Sequence, residues 1–161
     1  PVMEQYADLL DDDSTNPKTN YGEWLDTVLE FIEDIAPWFY VVTADGEPKG
    51  AVWATNWQSY GRDFHAVEVG GVALRKVDPS ISREAMRQLV NRAFNETGVA
   101  IVRAEYDQRN RAVSWILNEL GFNTPEQRRC YRIRNGEAIT GTIKSITRTE
   151  WESLPNEQKK E

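Results

Sequence analysis

The stretch VAIVRAEYDQRNRAVSWILNELGF, residues 99–122, decides the fold of this sequence. Its first part, Val99–Tyr106, is rich in apolar and β-branched residues and predicts a largely buried strand. Asn110 has the side chain of a helix N-cap, and apolar residues follow it at helical spacing as far as Leu120. Gly121 lies where a glycine ends such a helix. A strand followed by a capped helix is therefore predicted here.

A longer helix precedes this stretch and connects two strands. Its apolar positions begin just after Pro79, and Gly98 lies where a glycine C-cap belongs. The flanking strands are Phe64–Leu74 and Val99–Tyr106, and this strand–helix–strand order implies a parallel crossover. The apolar face of the helix carries Ile81, Ala85, Leu89, Val90, Ala93 and Phe94.

Strands dominate the part of the sequence before the crossover. Trp38–Thr43 and Ala51–Trp57 are rich in aromatic and β-branched residues, and Asp45-Gly46 between them is a turn signal. A further turn at Tyr60–Asp63 leads into the strand at Phe64–Leu74. Two helices are predicted earlier, at Met3–Leu10 and from a capping box at Asn20 and Glu23 to a stop before Pro37, the second with Trp24, Leu25, Val28, Leu29, Ile32 and Ile35 on its apolar face.

A hairpin and a short helix are predicted after the helix at 110–120. Asn135-Gly136 is a strong turn signal between strands at Tyr131–Ile133 and Ile139–Ile146. Thr147, with Glu150 three residues later, is typical of the cap of a short last helix.

This order of elements predicts an α/β fold with a central mixed, mostly antiparallel sheet and helices on both of its faces. No internal repeat or linker divides the chain, so we expect one domain at residues 1–154. The polar segment at residues 155–161 is predicted to be a disordered tail.

Charge and composition limit the class of function. The 161 residues carry a formal net charge of −7, which argues against binding nucleic acid or anionic membranes. An acidic surface attracts a cationic amine or a basic partner protein, although most such surfaces serve only solubility. The single cysteine, Cys130, fits a reducing compartment such as the cytoplasm. A metal site is not predicted from the single His65 or from the adjacent acids Asp11–Asp13.

Residues 110–122 resemble a helix of the GNAT superfamily of N-acetyltransferases. In that family a helix after the fifth strand begins with asparagine and ends in Gly-Phe, and Asn110 and Gly121-Phe122 match this spacing. The order of elements from Trp24 to Ile146 is also similar to the family's. The resemblance implies a GNAT-like acyl-CoA N-acyltransferase fold, N-acetyltransferase activity and acetyl-CoA as cofactor.

The resemblance also implies where acetyl-CoA is bound. The family binds it between the fourth and fifth strands, with the pyrophosphate on backbone N–H groups of the following helix. Here the backbone around Val72 and Leu74 would pair with the pantetheine arm, and Asn110 would bond to the cofactor. The family's glycine-rich phosphate loop is missing from Asp78–Ala85, so a serine in this segment is equally well interpreted as a helix cap. The phosphate-binding residues implied are Ser80, Ile81, Ser82 and Arg83.

One catalytic residue is carried over by the same resemblance. Glu68, on the strand before the phosphate loop, matches a glutamate base found in histone-type members, and the alternative interpretation is a solvent-facing glutamate. Many members place a tyrosine acid where this sequence has Leu117. Tyr106 and Tyr131 are possible replacements for that tyrosine.

Two functions are compatible with these residues. The first is transfer of an acetyl group from acetyl-CoA to an amine. The second is a catalytically inactive GNAT-like scaffold that binds a protein partner, as in phage accessory or assembly proteins, which would place it in the host cytoplasm or the virion. The resemblance also makes a homodimer plausible.

Overall fold

A computed structural model describes residues 21–60, 63–74, 76–134 and 137–159. The helix predicted at Met3–Leu10, the acidic run Asp11–Asp13, the Asn20 cap and the Asn135-Gly136 turn lie outside these residues.

The described residues form five helices and six strands. The helices are α1 (Tyr21–Ile35), α2 (Pro79–Glu96), α3 (Arg111–Glu119), α4 (Arg148–Glu152) and α5 (Asn156–Lys159). The strands are β1 (Phe39–Ala44), β2 (Glu47–Tyr60), β3 (Asp63–Ala73), β4 (Ile101–Asp107), β5 (Asn123–Arg134) and β6 (Glu137–Thr147).

The strands form one sheet in the order β1-β2-β3-β4-β6-β5. Only the neighbours β3 and β4 are parallel, and α2 connects them, so the predicted crossover is confirmed. The other neighbouring pairs are antiparallel. The sheet is therefore mixed and mostly antiparallel, as predicted. Asp45 and Gly46, with φ angles of 55° and 77°, form the predicted turn between β1 and β2.

Helices cover both faces of this sheet. Alternation along β2 turns Val52 and Ala54 toward α2, within a core that includes Met86 and Phe94. Trp53 points the other way, and its ring meets Phe31 of α1 edge-on with centroids 5.8 Å apart. The prediction of helices on both faces is confirmed.

The helix within the fold-deciding stretch, α3, ends as its sequence predicts. The side chain of Asn110 accepts a hydrogen bond from the N–H of Val113 at 3.2 Å, which caps the first turn. Gly121 has a φ of 82°, a left-handed backbone conformation that residues other than glycine rarely adopt. This turn carries Phe122 back into the core, where it is almost fully buried.

The predicted end of α2 is wrong. Thr97, not Gly98, is the C-cap, and Gly98 does not adopt the left-handed conformation. The hydroxyl of Thr97 donates to the carbonyl of Ala93 at 2.6 Å, while its oxygen accepts from the N–H of Val99 at 3.2 Å. A side chain therefore satisfies the groups that a glycine turn would have satisfied.

The C-terminal tail is more ordered than predicted. Thr147 and Glu150 form the expected capping box for α4, and Trp151 is buried against Phe94. Disorder was predicted for residues 155–161, yet residues 156–159 form α5. The carbonyl of Gln158 accepts a hydrogen bond of 2.9 Å from Asn91 of α2, which holds this turn in place. None of the described helices is both long enough and apolar enough to cross a membrane.

Candidate functional site

The parallel strands β3 and β4 separate partway along their length. They pair from Ala66 opposite Ile101 to Glu68 opposite Arg103. Beyond that point β3 continues to Ala73 and β4 to Asp107 without pairing to each other. Two parallel strands that diverge in this way leave a gap in the middle of the sheet.

This gap opens into a cleft of about 910 Å³. Its walls are the free ends of β3 and β4, the adjoining part of β2 and the first turns of α2 and α3. Among the described residues that line it, the charged side chains are Lys49, Glu105 and Asp107. The cleft is otherwise mostly apolar, as is typical of small-molecule sites.

The free end of β3 offers backbone groups to the cleft. On one side, the N–H of Leu74 donates to the carbonyl of Lys49 on β2 at 2.9 Å. On the other side, the carbonyl of His65 accepts from Ala100 at 3.0 Å, next to β4. Because the direction of backbone groups alternates along a strand, Gly71 and Ala73 point their N–H and C=O groups into the cleft.

The backbone groups of Val72 and Leu74, the pairing positions that the resemblance implies, point toward β2 rather than into the cleft. Leu74 does not line the cleft, and its N–H is already bonded to β2. Val72 lines the cleft, but alternation turns its backbone groups toward β2 as well. A linear molecule with amide groups would pair with Gly71 and Ala73 instead.

The first turn of α2 carries its own anion. Asp78 is the N-cap, and its carboxylate accepts a hydrogen bond from the N–H of Ser80 at 2.9 Å. That hydrogen bond from the Ser80 backbone, with the Ser80 hydroxyl and the charge of Arg83, holds the pKa of Asp78 below its usual range. The alternative interpretation, that Ser80 or Ser82 caps this helix, is wrong, because Asp78 performs that role.

Little donor capacity is left in this turn for a phosphate group. Pro79 has no N–H, that of Ser80 is bound by Asp78, and that of Ile81 donates to the Asp78 carbonyl at 3.0 Å. Of the four residues predicted to bind phosphate, Ile81 and Ser82 line the cleft, whereas Ser80 and Arg83 do not.

Arg83 is directed toward α3. Its guanidinium lies 5.5 Å from the ring centroid of Trp115 and 3.6 Å from the carboxylate of Glu119. These contacts join α2 to α3 beside the cleft. Asn110 lies on the opposite wall, where it lines the cleft while capping α3.

Glu68 is half-buried at the last paired position of β3, but it does not line the cleft. Its carboxylate accepts a hydrogen bond from the side-chain amide of Asn56 on β2 at 2.6 Å. Alternation along β3 places Glu68 on the same face as Gly70 and opposite Val67 and Val69, which are buried in the core. Glu68 therefore faces α1.

Glu105, which the sequence reasoning missed, does line the cleft. It follows Arg103, the residue of β4 paired with Glu68, by two positions and so lies on the same face of the sheet. Its Oε1 atom is inaccessible to solvent. Arg103, Glu105 and Asp107 alternate with buried residues along β4, so the sequence alone does not distinguish Glu105 from its charged neighbours.

Tyr106 and Leu117 lie together in the cleft wall. Both are buried and both line the cleft, Leu117 at the position where many GNAT members have tyrosine. The ammonium group of Lys144 lies 5.9 Å from the ring centroid of Tyr106 and is bonded to Ser114 and Asn118 of α3. Of the two tyrosines named as replacements, Tyr106 is thus at the cleft, whereas the side chain of Tyr131 lies outside the described ones.

Comparison with known proteins identifies the fold. No protein-family model and no curated protein matches the sequence. A GNAT-family probable acetyltransferase from Chromobacterium violaceum superposes with a TM-score of 0.65 at 23% identity, over 79% of this chain and 68% of that one. RimJ of Mycobacterium smegmatis, solved with CoA-disulfide, gives 0.69 at 16% identity, over 83% and 66%. The yncA protein of Salmonella typhimurium, solved with acetyl-CoA, gives 0.63 at 19%, over 76% and 72%.

These likenesses show that the chain has the GNAT acetyltransferase fold, as residues 110–122 led us to expect. Two of the three structures hold CoA or acetyl-CoA. At identities of 16–23%, these structural similarities show the fold alone.

Proposed function

We propose that this chain is an N-acetyltransferase that transfers an acetyl group from acetyl-CoA to an amine. The observation that carries the proposal is the cleft between the diverging ends of β3 and β4, with its open strand edge at Gly71 and Ala73. Two similar structures contain CoA-disulfide or acetyl-CoA, which supports the binding of a CoA molecule in this cleft.

The residues of the cleft fit the pantetheine part of acetyl-CoA. Gly71 and Ala73 supply backbone groups that match its amides, and Val72, Val113 and Ile116 supply apolar walls. Asn110 adds a polar side chain on the opposite wall. When bound there, acetyl-CoA would supply the activated acetyl group.

The fit to the phosphate groups is weaker. The N–H groups of the first turn of α2 are occupied by Asp78, so the helix offers its partial positive charge with few free donors. Lys49, at the cleft wall, and the hydroxyl of Ser82 remain. We therefore expect looser cofactor binding than a glycine-rich loop would give.

We assign proton transfer to Glu105 and Tyr106. Two carboxylates of the cleft, Glu105 and Asp107, lie on the face of Glu68, and Asp107 is already paired with Arg109 at 2.8 Å. Glu105 would accept the proton of the acceptor ammonium at its carboxylate oxygen. The hydroxyl of Tyr106 would donate a proton to the leaving thiolate. Glu68, the base that the resemblance implies, is held by Asn56 outside the cleft, and we assign it to the binding of the acceptor.

The proposed acceptor is a cationic amine. The formal net charge of −7 attracts such molecules and repels anionic ones. A basic protein partner has the same chemistry, through a lysine side chain or an N-terminus.

Release of the CoA thiol tests this proposal directly. Purified protein is incubated with acetyl-CoA and a panel of diamines, amino acids and basic peptides, and free thiol is measured with a colour reagent. Amine-dependent release that falls in Glu105→Gln supports the proposal. Thiol release that no amine raises above the buffer rate would contradict it and would favour the inactive scaffold.

A further inference from the structure

A second pocket of about 400 Å³ lies where the C-terminal end of α1 and the segment just before β1 meet β2. Two indole rings, those of Trp38 and Trp57, line it, with centroids 5.0 Å apart and planes tilted by 55°. Asp34 lines it from the last turn of α1, and Asn56 lines it from β2. The mechanism proposed above uses neither the indoles nor Asp34.

The electrostatics of this pocket favour a positive ligand. Asp34 is the only charged side chain among the described residues that line it. The last turn of α1 contains no basic residue, so the partial negative charge of the helix end adds to that of Asp34. The faces of indole rings also attract cations.

Two arginines lie near this pocket without lining it. Arg92 lies 5.0 Å from the ring centroid of Trp38 but does not line the pocket, and its guanidinium is paired with Glu96 at 2.7 Å. Arg148 approaches Thr97, where it donates to backbone carbonyls of residues 94, 97 and 99. Both arginines are thus already engaged, and Arg92 shows that the Trp38 ring accepts a cation.

The pocket adjoins Glu68 through Asn56. The pairing of β2 with β3 is irregular between Thr55 and Gln58, and Asn56 adopts a left-handed φ of 51° there. This irregular strand directs the Asn56 amide onto the carboxylate of Glu68, at 2.6 Å. A ligand in the pocket would therefore lie beside Asn56 and its hydrogen-bond partner Glu68.

We infer that this pocket binds the ammonium group of an organic cation. Its assignment as the binding site for the cationic part of the acceptor rests on the proposed acetyltransferase function. Binding of the cation itself does not depend on that function.

Choline chloride is the probe that tests this inference. Six tryptophan indole N–H signals are followed by two-dimensional NMR while choline is added at constant ionic strength, and single Trp→Phe variants assign Trp38 and Trp57. We expect these two signals to shift with a dissociation constant on the order of 10 mM. The neutral isostere 3,3-dimethylbutan-1-ol, which has the same shape without the charge, is expected to shift them far less.

Asp34→Asn is the informative variant, because Asp34 is exposed and its replacement does not threaten folding. Choline binding should weaken about fivefold. Asp26→Asn makes the same change on the exposed surface of α1, away from the pocket lining, and should leave binding unchanged. Equal shifts with choline and its isostere, or equal affinity in Asp34→Asn and the unchanged protein, would overturn the inference.

The assignment to the acceptor has a separate readout. In the thiol-release assay, Asp34→Asn should raise KM for a cationic acceptor and leave KM for acetyl-CoA unchanged. An unchanged acceptor KM would overturn the assignment. Absence of acetyl transfer by the unchanged protein would contradict the proposed function, whereas the choline titration would still decide whether the pocket binds cations.

Discussion

The carboxylate of Asp78 accepts a 2.9 Å hydrogen bond from the backbone N–H of Ser80, at the start of the helix that faces the cleft. In a GNAT enzyme this helix end meets the cofactor's phosphates. Here a side-chain anion of the protein holds that position, and the hydrogen bonds from Ser80 that lower the pKa of Asp78 favour its charged form. Asp78 should therefore oppose any phosphate group that approaches α2.

Asp78→Asn is expected to strengthen acetyl-CoA binding by about two- to fivefold, because the asparagine oxygen can still cap Ser80 without the negative charge. Isothermal titration at low and high salt measures the effect, which should shrink as salt rises. Asp26→Asn, on the exposed surface of α1, controls for net charge. Weaker binding in Asp78→Asn would show that the carboxylate does not oppose the cofactor.

Glu105→Gln is expected to lower kcat about 10²-fold with little change in KM for acetyl-CoA, since a general base acts on the chemical step. The acidic limb of the pH–rate profile should disappear in this variant. Glu68→Gln should mainly raise KM for the acceptor. If Glu68→Gln removed the acidic limb and Glu105→Gln retained it, the roles assigned to the two carboxylates would be reversed.

Two glycine substitutions should have opposite effects on stability. Gly98→Ala should stabilise the protein by about 0.5 kcal/mol, because a Cβ there meets no atom within 4 Å and φ is not left-handed. Gly121→Ala should destabilise it by about 1 kcal/mol or more, because φ is 82°. Urea unfolding of both variants measures this. Similar losses in both would mean that Gly98 is a left-handed cap after all.

The capping box of α4 should make stability depend on pH. Hydrogen bonds from the backbone N–H and hydroxyl of Thr147 lower the pKa of Glu150 from its ordinary 4.5. A lowered folded-state pKa contributes stability above pH 4.5, and this stability is lost as the pH falls through the folded-state pKa. Glu150→Gln should therefore be less stable than the unchanged protein at pH 7, and the difference should fade below pH 4.5.

Thr147→Ala removes the other half of the same box and should cost about 1 kcal/mol at pH 7. Thr149→Ala, on the exposed first turn of α4, is the matched control. Thermal unfolding across pH follows all three variants. If Thr147→Ala were as stable as the unchanged protein, and the stability difference of Glu150→Gln did not depend on pH, the role of the capping box would be contradicted.

The features that the sequence predicted correctly depend on residues close together in the chain. Asn110 and Gly121 define the ends of α3 because capping depends on neighbouring residues alone. Asp78 followed by Pro79 is also an N-cap signal for α2, since proline is favoured at the first position of a helix. The serines of the same segment are competing signals, because serine is also a favoured N-cap residue.

Features of the cleft that depend on the pairing of distant strands could not be predicted from the sequence. The phase of backbone hydrogen bonds along β3, which makes Gly71 and Ala73 rather than Leu74 face the cleft, is set by pairing with β2. The separation of β3 from β4 after Arg103 brings Glu105 into the cleft, and no periodicity in the strand itself marks that point. Both depend on strands distant in sequence.

The proposed function requires that the cleft between β3 and β4 binds acetyl-CoA. Calorimetric titration of acetyl-CoA into the unchanged protein, Ser82→Asp and Ser59→Asp tests it most directly. Ser82 lines the cleft, whereas Ser59 lies exposed near the far end of β2. We expect saturable one-to-one binding of acetyl-CoA. The negative charge introduced by Ser82→Asp should weaken it about fivefold or more, whereas Ser59→Asp should leave it unaffected. Absence of binding to the unchanged protein at millimolar acetyl-CoA, or equal binding by Ser82→Asp, would contradict it.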